Sequence, residues 1–107
     1  MPEVSTSFVG FVSEGTLDTG NTIAGHVTIT TSGTPVQGPD VSNPRGFVIT
    51  PYTTNSGYTW IIPHAGSKST QGYPIPVGVQ SFLNVYDLNQ VDFDADANAN
   101  IVCWLKV

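Results

Sequence analysis

Three aspartates at alternate positions near the end of the chain are the residues with the clearest potential for chemistry. Asp92, Asp94 and Asp96 are followed by two asparagines in the same alternation. Such oxygen ligands open the calcium loop of EF-hand proteins, which also needs glycine at its sixth position and glutamate at its twelfth. Here Ala97 and Cys103 occupy those positions. The three aspartates are therefore candidate metal ligands, beside the prediction that they form the solvated, charged face of a strand.

The histidines and the single cysteine form no recognisable catalytic set. His26 and His64 are far apart in the sequence, and a zinc site would need further ligands. Alternation along the last strand predicts that Cys103 points inward as a buried structural thiol. A nucleophile needs an adjacent base held by a third group, and the sequence has neither Gly-x-Ser-x-Gly nor a Cys/His motif. We expect a protein that is not an enzyme and holds no cofactor.

Aromatic side chains suggest another activity, the binding of carbohydrate. Sugars stack on tyrosine and tryptophan, although a small sandwich also needs large residues for its core and its subunit contacts. Trp104 is out of phase with Ile101 and Cys103, so we predict that it faces away from them and covers the sheet or enters an interface. The aromatic candidates are Tyr52, Tyr58, Trp60, Tyr73, Tyr86 and Trp104. Lectin-like binding, aided by calcium at the aspartates, is the alternative function.

Length and charge limit the classes of function. The chain has 107 residues, three basic and eight acidic, with a formal net charge of -5. Nucleic acids and anionic membranes attract clustered lysine and arginine, so neither is an expected partner. Only 10% of the residues are charged, which suits modules that pack against one another. No secretory signal and no apolar run of about 18 residues is visible, so we expect a soluble protein made in the cytoplasm.

The elements that must position these residues are predicted to be strands. Eleven glycines and eight prolines interrupt the chain, and no window has the apolar 3,4 spacing of a helix. Val27 and Ile29 alternate with polar neighbours, as in a half-buried strand. Strands are predicted at residues 5–12, 24–30, 46–52, 58–63, 79–86, 90–95 and 100–107, with a short edge strand around Val36.

Turn chemistry predicts how these strands are connected. Residues 53–57 have the length of a hairpin turn, residues 64–71 form a polar loop that residues 72–74 close, and the last two strands form a closing hairpin. The result is one domain, residues 1–107, with seven to eight antiparallel strands. We therefore predict an all-β sandwich that is jelly-roll-like.

The strand at residues 58–63 is apolar on both faces, which predicts that it is central or lies under another subunit. One face carries Tyr58, Trp60 and Ile62, and the other carries Thr59, Ile61 and Pro63.

The order of several turn motifs resembles small structural proteins of tailed bacteriophages. The motifs are Pro51, Asn55-Ser56-Gly57, Gly72-Tyr73-Pro74-Ile75, Gly78 and Asp87-Leu88-Asn89-Gln90-Val91. The resemblance covers residues 46–91, and its motifs specify turns of a β-sandwich. It implies a virion component, which is either a head-decoration or cement protein on the capsid surface or a head-fibre or tail accessory module. The short length favours decoration, and no catalytic residues come with the resemblance.

The expected partners follow from that resemblance and from the apolar strand faces. We expect the chain to bind copies of itself, as a homotrimer that matches a three-fold position of the shell, and to bind the major capsid protein. Residues 1–6 are a candidate arm that adds a strand to a neighbour or to the capsid. The candidate residues for self-association or capsid contact are Phe8, Tyr58, Trp60, Ile62 and Trp104.

Overall fold

The computed structural model describes residues 22–107, which contain eight strands. The strands are β1 (Ala24–Ile29), β2 (Val36–Gln37), β3 (Phe47–Pro51), β4 (Thr59–Pro63), β5 (Tyr73–Ile75), β6 (Ser81–Leu83), β7 (Val91–Ala95) and β8 (Asn100–Lys106). One helical turn, α1 (Lys68–Gln71), and one 3-10 turn, Leu88–Gln90, are the helical elements of this part of the chain. The strand predicted at residues 5–12, which includes Phe8, and the arm at residues 1–6 lie outside the described residues.

The order of the strands is that of a jelly roll. One sheet has the order β1-β8-β3-β6 and the other has the order β2-β7-β4-β5. The first strand thus pairs with the eighth, the second with the seventh, the third with the sixth and the fourth with the fifth, all antiparallel. A double sheet rolled up from paired strands in this way is a jelly roll. The predicted all-β, jelly-roll-like sandwich is confirmed for residues 22–107.

Two of the predicted hairpins are wrong, because the strands involved lie in different sheets. Residues 53–57 carry the chain from β3 in the first sheet to β4 in the second, and the turn after β7 returns it to β8. Gly57 does have the positive φ (69°) expected in such a turn. Glycine, asparagine and serine specify where a chain reverses, but they do not specify which sheet receives the next strand. Among the described strands, β4 and β5 are the consecutive pair that bond to each other.

Several predicted boundaries also change. Residues 72–74 are predicted to close the polar loop, but residues 73–75 form the edge strand β5. Pro74 is tolerated there because an edge strand can do without one backbone N–H. β6 keeps three residues of the strand predicted at residues 79–86, since the chain is still turning where the N–H of Val79 donates to the carbonyl of Pro76. The helical turn α1 lies inside the loop predicted at residues 64–71. The short strand predicted around Val36 is confirmed as β2.

The core lies between the sheets and takes one side of each main strand. β1 contributes Val27 and Ile29, and β7 contributes Val91, Phe93 and Ala95, as their alternation predicts. Burial of each large apolar side chain contributes roughly 1.5–3 kcal/mol. The other buried members of this cluster are Phe47, Ile49, Ile61, Ile75, Leu88, Val102 and Trp104. Because alternate residues point to opposite sides, this core also determines which residues lie on the two outer faces.

The phase of β8 is opposite to the predicted one. Trp104 is 5% exposed and meets Phe47 edge to face, with ring centroids 6.1 Å apart. Asn100, also buried, accepts a hydrogen bond from the N–H of Ser56 and donates one to the Ser56 carbonyl, which holds the start of the strand in this phase. Cys103 therefore lies half-buried on the outer side. The predicted inward thiol and outward Trp104 are wrong, because both sides of β8 are apolar and alternation could not choose between them.

Candidate functional site

The outer side of the second sheet is covered by its own chain. Trp60, Ile62, Asp92 and Asp94 lie there as cross-strand neighbours on β4 and β7. The segment at residues 63–72, which includes α1, folds back over them. Ile62 and Asp94 are each only 1% exposed as a result.

Asp94 is a buried carboxylate with several partners. Its Oδ1 accepts hydrogen bonds from the backbone N–H groups of Gly33 (2.9 Å) and Ala95 (2.8 Å). Its Oδ2 lies 3.3 Å from Nζ of Lys68 on α1. A buried charge is tolerated when it is both paired and hydrogen-bonded. Asp94 meets both conditions, and it ties the turn after β1 and the helical turn α1 to β7.

Asp92 holds the start of the covering segment. Its Oδ1 lies 2.8 Å from Nδ1 of His64, and its Oδ2 accepts a hydrogen bond from the N–H of Ala65 at 3.0 Å. Ala65 has a φ of 61°, a left-handed conformation that costs a residue with a Cβ about 1–2 kcal/mol. The hydrogen bond to Asp92 helps to maintain it. A carboxylate beside an imidazole can orient a catalytic base, but within residues 22–107 the hydrogen bond of the His64 ring is to Asp92, not to a serine or cysteine.

Asp96 is exposed to solvent, but its carboxylate accepts two hydrogen bonds. It accepts hydrogen bonds from the backbone N–H of Tyr58 and from the indole N–H of Trp60, each at 2.9 Å. These two hydrogen bonds, and to a smaller extent the charge of Lys68, lower the pKa of Asp96 below its ordinary value. The ring of Tyr58 meets that of Trp60 with centroids 6.3 Å apart, and Nζ of Lys68 lies 5.5 Å from the centroid of Trp60. Trp60 is thus enclosed by three side chains of its own chain.

These contacts change the interpretation of the aspartate row. Asp92 is 9% exposed and Asp94 1%, so the predicted solvated face is wrong for both, because loops of the same chain cover that side of β7. Asp96 is the member that remains exposed. Within residues 22–107 no three His, Cys, Asp or Glu side chains come together as metal ligands would. Asp92 and Asp94 instead attach loops to the sheet, and Asp96 bonds to Tyr58 and Trp60.

The outer side of the first sheet has no comparable cover among the described residues. Ala24, Leu105, Val48 and Phe82 form one cross-strand row, and shorter rows follow it along the strands. We call this surface the open face. It consists of Ala24, His26, Thr28, Val48, Thr50, Phe82, Ile101, Cys103 and Leu105, and none of these residues is Asp, Glu, Lys or Arg.

The open face combines exposed apolar side chains with a groove. Phe82 is 60% exposed and Leu105 is 46% exposed. The groove has a volume of about 420 Å³, and its lining includes His26, Val48 and Cys103. A contiguous apolar surface of this kind usually marks an interaction site in a soluble protein. The open face is therefore the candidate functional site.

The chemistry of Cys103 favours contact over covalent catalysis. Cys103 lies near the middle of the open face, opposite His26 on β1 and Thr50 on β3. Partial burial raises the pKa of its thiol. The thiolate is the reactive form of cysteine, so this position carries a neutral, weakly polar thiol at pH 7.

The residues predicted to make contacts lie in different environments. Tyr58 is exposed and Trp60 is half-buried beside it, whereas Ile62 and Trp104 are buried within the chain. Phe8 lies outside the described residues. The structure thus brings Tyr58 and Trp60 together and separates them from Trp104, which belongs to the other sheet.

The open face itself was not predicted. Its signal was the alternation of Ile101, Cys103 and Leu105 along β8, together with Val48 on β3. The reversed phase assigned to β8 placed Leu105 in the core, and the pairing of Val48 with Phe82 depends on a sheet order that turn motifs do not encode.

Comparison of the chain with protein-family models, with curated proteins and with solved structures finds no match in any of the three. The resemblance to phage structural proteins therefore stays a prediction. No helix in the described part of the chain is long and apolar enough to cross a membrane.

Proposed function

We propose that the protein is a non-enzymatic structural component of a bacteriophage virion, a decoration protein that binds the major capsid protein on the surface of the head. The observation that supports this proposal is the open face: an uncharged, apolar surface on a jelly roll whose other sheet is covered by its own chain. Jelly rolls occur in viral capsid proteins and in lectins, so the fold alone does not choose between these functions.

The composition of the open face suits a contact with protein. The buried centres of protein interfaces are depleted of charged residues and enriched in aromatic ones. Phe82 and Leu105 supply exposed apolar area, and the groove between the strands has room for one or two side chains of a partner. The pairing of strands around the groove holds it in place, so little order has to be gained on binding.

The test is binding to shells of the phage that encodes the chain, purified without this protein. We expect the protein to sediment with the shells and to raise the temperature at which they break. Phe82→Asp, which places a charge on the open face, should reduce binding at least about tenfold, the effect of roughly 1.4 kcal/mol. Tyr73→Asp is the matched control, because Tyr73 is equally exposed (62% against 60%) but belongs to the second sheet. Equal binding of the two variants, or no binding by the unmodified protein, would contradict the proposal.

Carbohydrate binding is the second candidate, favoured by the adjacent rings of Tyr58 and Trp60. Tyr58 is 47% exposed, but Lys68 lies over the ring of Trp60 and Trp104 is in the core. A lectin would bind specific glycans on an array and lose that binding in Tyr58→Ala. Retention of glycan binding in Phe82→Asp would separate such an activity from the open face.

A further inference from the structure

The edge strands of the described sandwich differ in their protection against pairing with other chains. β2 has two residues, β6 has three, and β5 has three including Pro74. Shortness and proline are two means by which edge strands are kept from binding further strands. β1 has six residues, and none of them is Pro, Asp, Glu, Lys or Arg. Among the edge strands within residues 22–107, β1 is the longest and has neither of these protections.

The register shows which main-chain groups of β1 point to this edge. The N–H of Lys106 donates to the carbonyl of Ile23 at 2.8 Å, so these two residues form a hydrogen-bonded pair of the ladder. Hydrogen-bonded pairs recur at every second residue of an antiparallel ladder. The odd-numbered residues of β1 therefore bond to β8, whereas Ala24, His26 and Thr28 direct their N–H and C=O groups away from it. The side chains of the same three residues belong to the open face.

We propose that β1 pairs with β1 of a second copy of the chain, antiparallel and across a two-fold axis at His26, which gives a dimer in place of the homotrimer expected from the sequence. Ala24 then lies opposite Thr28 of the second copy, and the three residues of each strand that point to the edge supply on the order of six main-chain hydrogen bonds. The two first sheets join into one continuous sheet. Their open faces become one apolar surface on the same side.

Charge favours a second copy as the occupant of this edge. The chain carries a formal net charge of -5, so its copies repel one another except where their surfaces are uncharged. Apart from His26, β1 and the neighbouring rows of the open face contain no acidic or basic side chain. Two-fold dimers are also the commonest assembly of identical chains. The pairing does not depend on a capsid, so a dimer in its absence supports the contact whether or not it binds a shell.

The first test is the mass in solution, by light scattering over a series of concentrations. We expect a dimer for the unmodified chain and a monomer for Thr28→Lys, because a lysine on an edge strand disfavours pairing with a further strand. Thr54→Lys is the matched control: it makes the same change at another exposed threonine, outside the first sheet, and should remain dimeric. A monomer or a trimer for the unmodified chain, or a dimer for Thr28→Lys, would overturn the proposal.

The second test needs no substitution and so does not depend on whether a variant folds. Cys103 is the single cysteine and lies opposite His26, so the two copies of Cys103 and His26 fall on one line across the joined sheet. The two Cys103 Cα atoms are then three strand spacings apart, about 14 Å. Spin labels on Cys103 should show dipolar broadening that disappears when labelled protein is mixed with excess unlabelled protein. Spectra without broadening at concentrations where the mass is that of a dimer would exclude β1 as the contact.

Discussion

At the scale of single residues, Asp94 joins three parts of the chain through one carboxylate. Replacing it with alanine leaves the exposed N–H of Gly33, the buried N–H of Ala95 and the ammonium of Lys68 without this partner. We expect Asp94→Ala to lower the free energy of unfolding by about 2–3 kcal/mol, because a buried donor that loses its acceptor is not compensated by water. Urea denaturation followed by tryptophan fluorescence measures this.

Lys68→Ala is the control for the contribution of the ion pair. The side chain of Lys68 is 36% exposed, and exposed pairs contribute only about 0–1 kcal/mol. If Lys68→Ala were as destabilising as Asp94→Ala, the ion pair rather than the hydrogen bonds to the backbone would account for the effect.

Asp96 predicts a pH dependence of stability. Hydrogen bonds from Tyr58 and Trp60 lower its pKa in the folded state, so the folded chain binds the proton less readily than the unfolded chain does. The resulting stabilisation is complete above the ordinary pKa of aspartate, about 3.9, and is lost as the pH falls through the lowered folded value. We expect the difference in urea midpoint between the unmodified chain and Asp96→Asn to shrink below about pH 4. A difference that stays constant between pH 3 and 7 would contradict this assignment.

At the scale of elements, Gly25 determines how closely β1 approaches the core. A Cβ at this position would lie 2.7 Å from Cζ2 of Trp104. We expect Gly25→Ala to destabilise the fold by about 1–3 kcal/mol through overpacking, and to shift the emission of the buried Trp104. Thr28→Ala, on the exposed side of the same strand, should change stability by less than about 0.5 kcal/mol. Equal effects of the two substitutions would show that the ring can move aside.

The strands also differ in how well their inward sides could be predicted from the sequence. The alternation of Val27 with Ile29 and of Val91 with Phe93 located β1 and β7 and their inward sides, because each has polar residues in the other phase. β8 has apolar residues in both phases. Which of its side chains face the core therefore depends on Asn100 and its hydrogen bonds to Ser56. Those bonds join residues 44 positions apart, and no local pattern encodes them.

The candidate site was harder to predict than the strands. Asp92 and Asp94, which the sequence suggested as metal ligands, attach loops to β7 instead. The open face arises only when β1, β8, β3 and β6 lie side by side. Its position is therefore a property of the topology, and a single strand contains at most a third of it.

At the scale of the whole molecule, the topology predicts slow folding. Of the strand pairs that define the jelly roll, only β4 with β5 joins neighbours in the sequence, and the others close long loops first. We expect refolding from urea to take milliseconds to seconds, as in other sandwiches with distant pairings. Stopped-flow tryptophan fluorescence measures the rate. Complete refolding within about 100 microseconds would show that local structure dominates the transition state.

The central position of β8 in the first sheet also has a consequence for synthesis on the ribosome. β8 lies between β1 and β3, so neither strand can complete its pairing until residues 100–106 have left the exit tunnel. A nascent chain that stops before this point leaves its first sheet divided and offers β1 and β3 to proteases. A product that lacks β8 therefore cannot form the open face, because that face needs β1, β8 and β3 side by side.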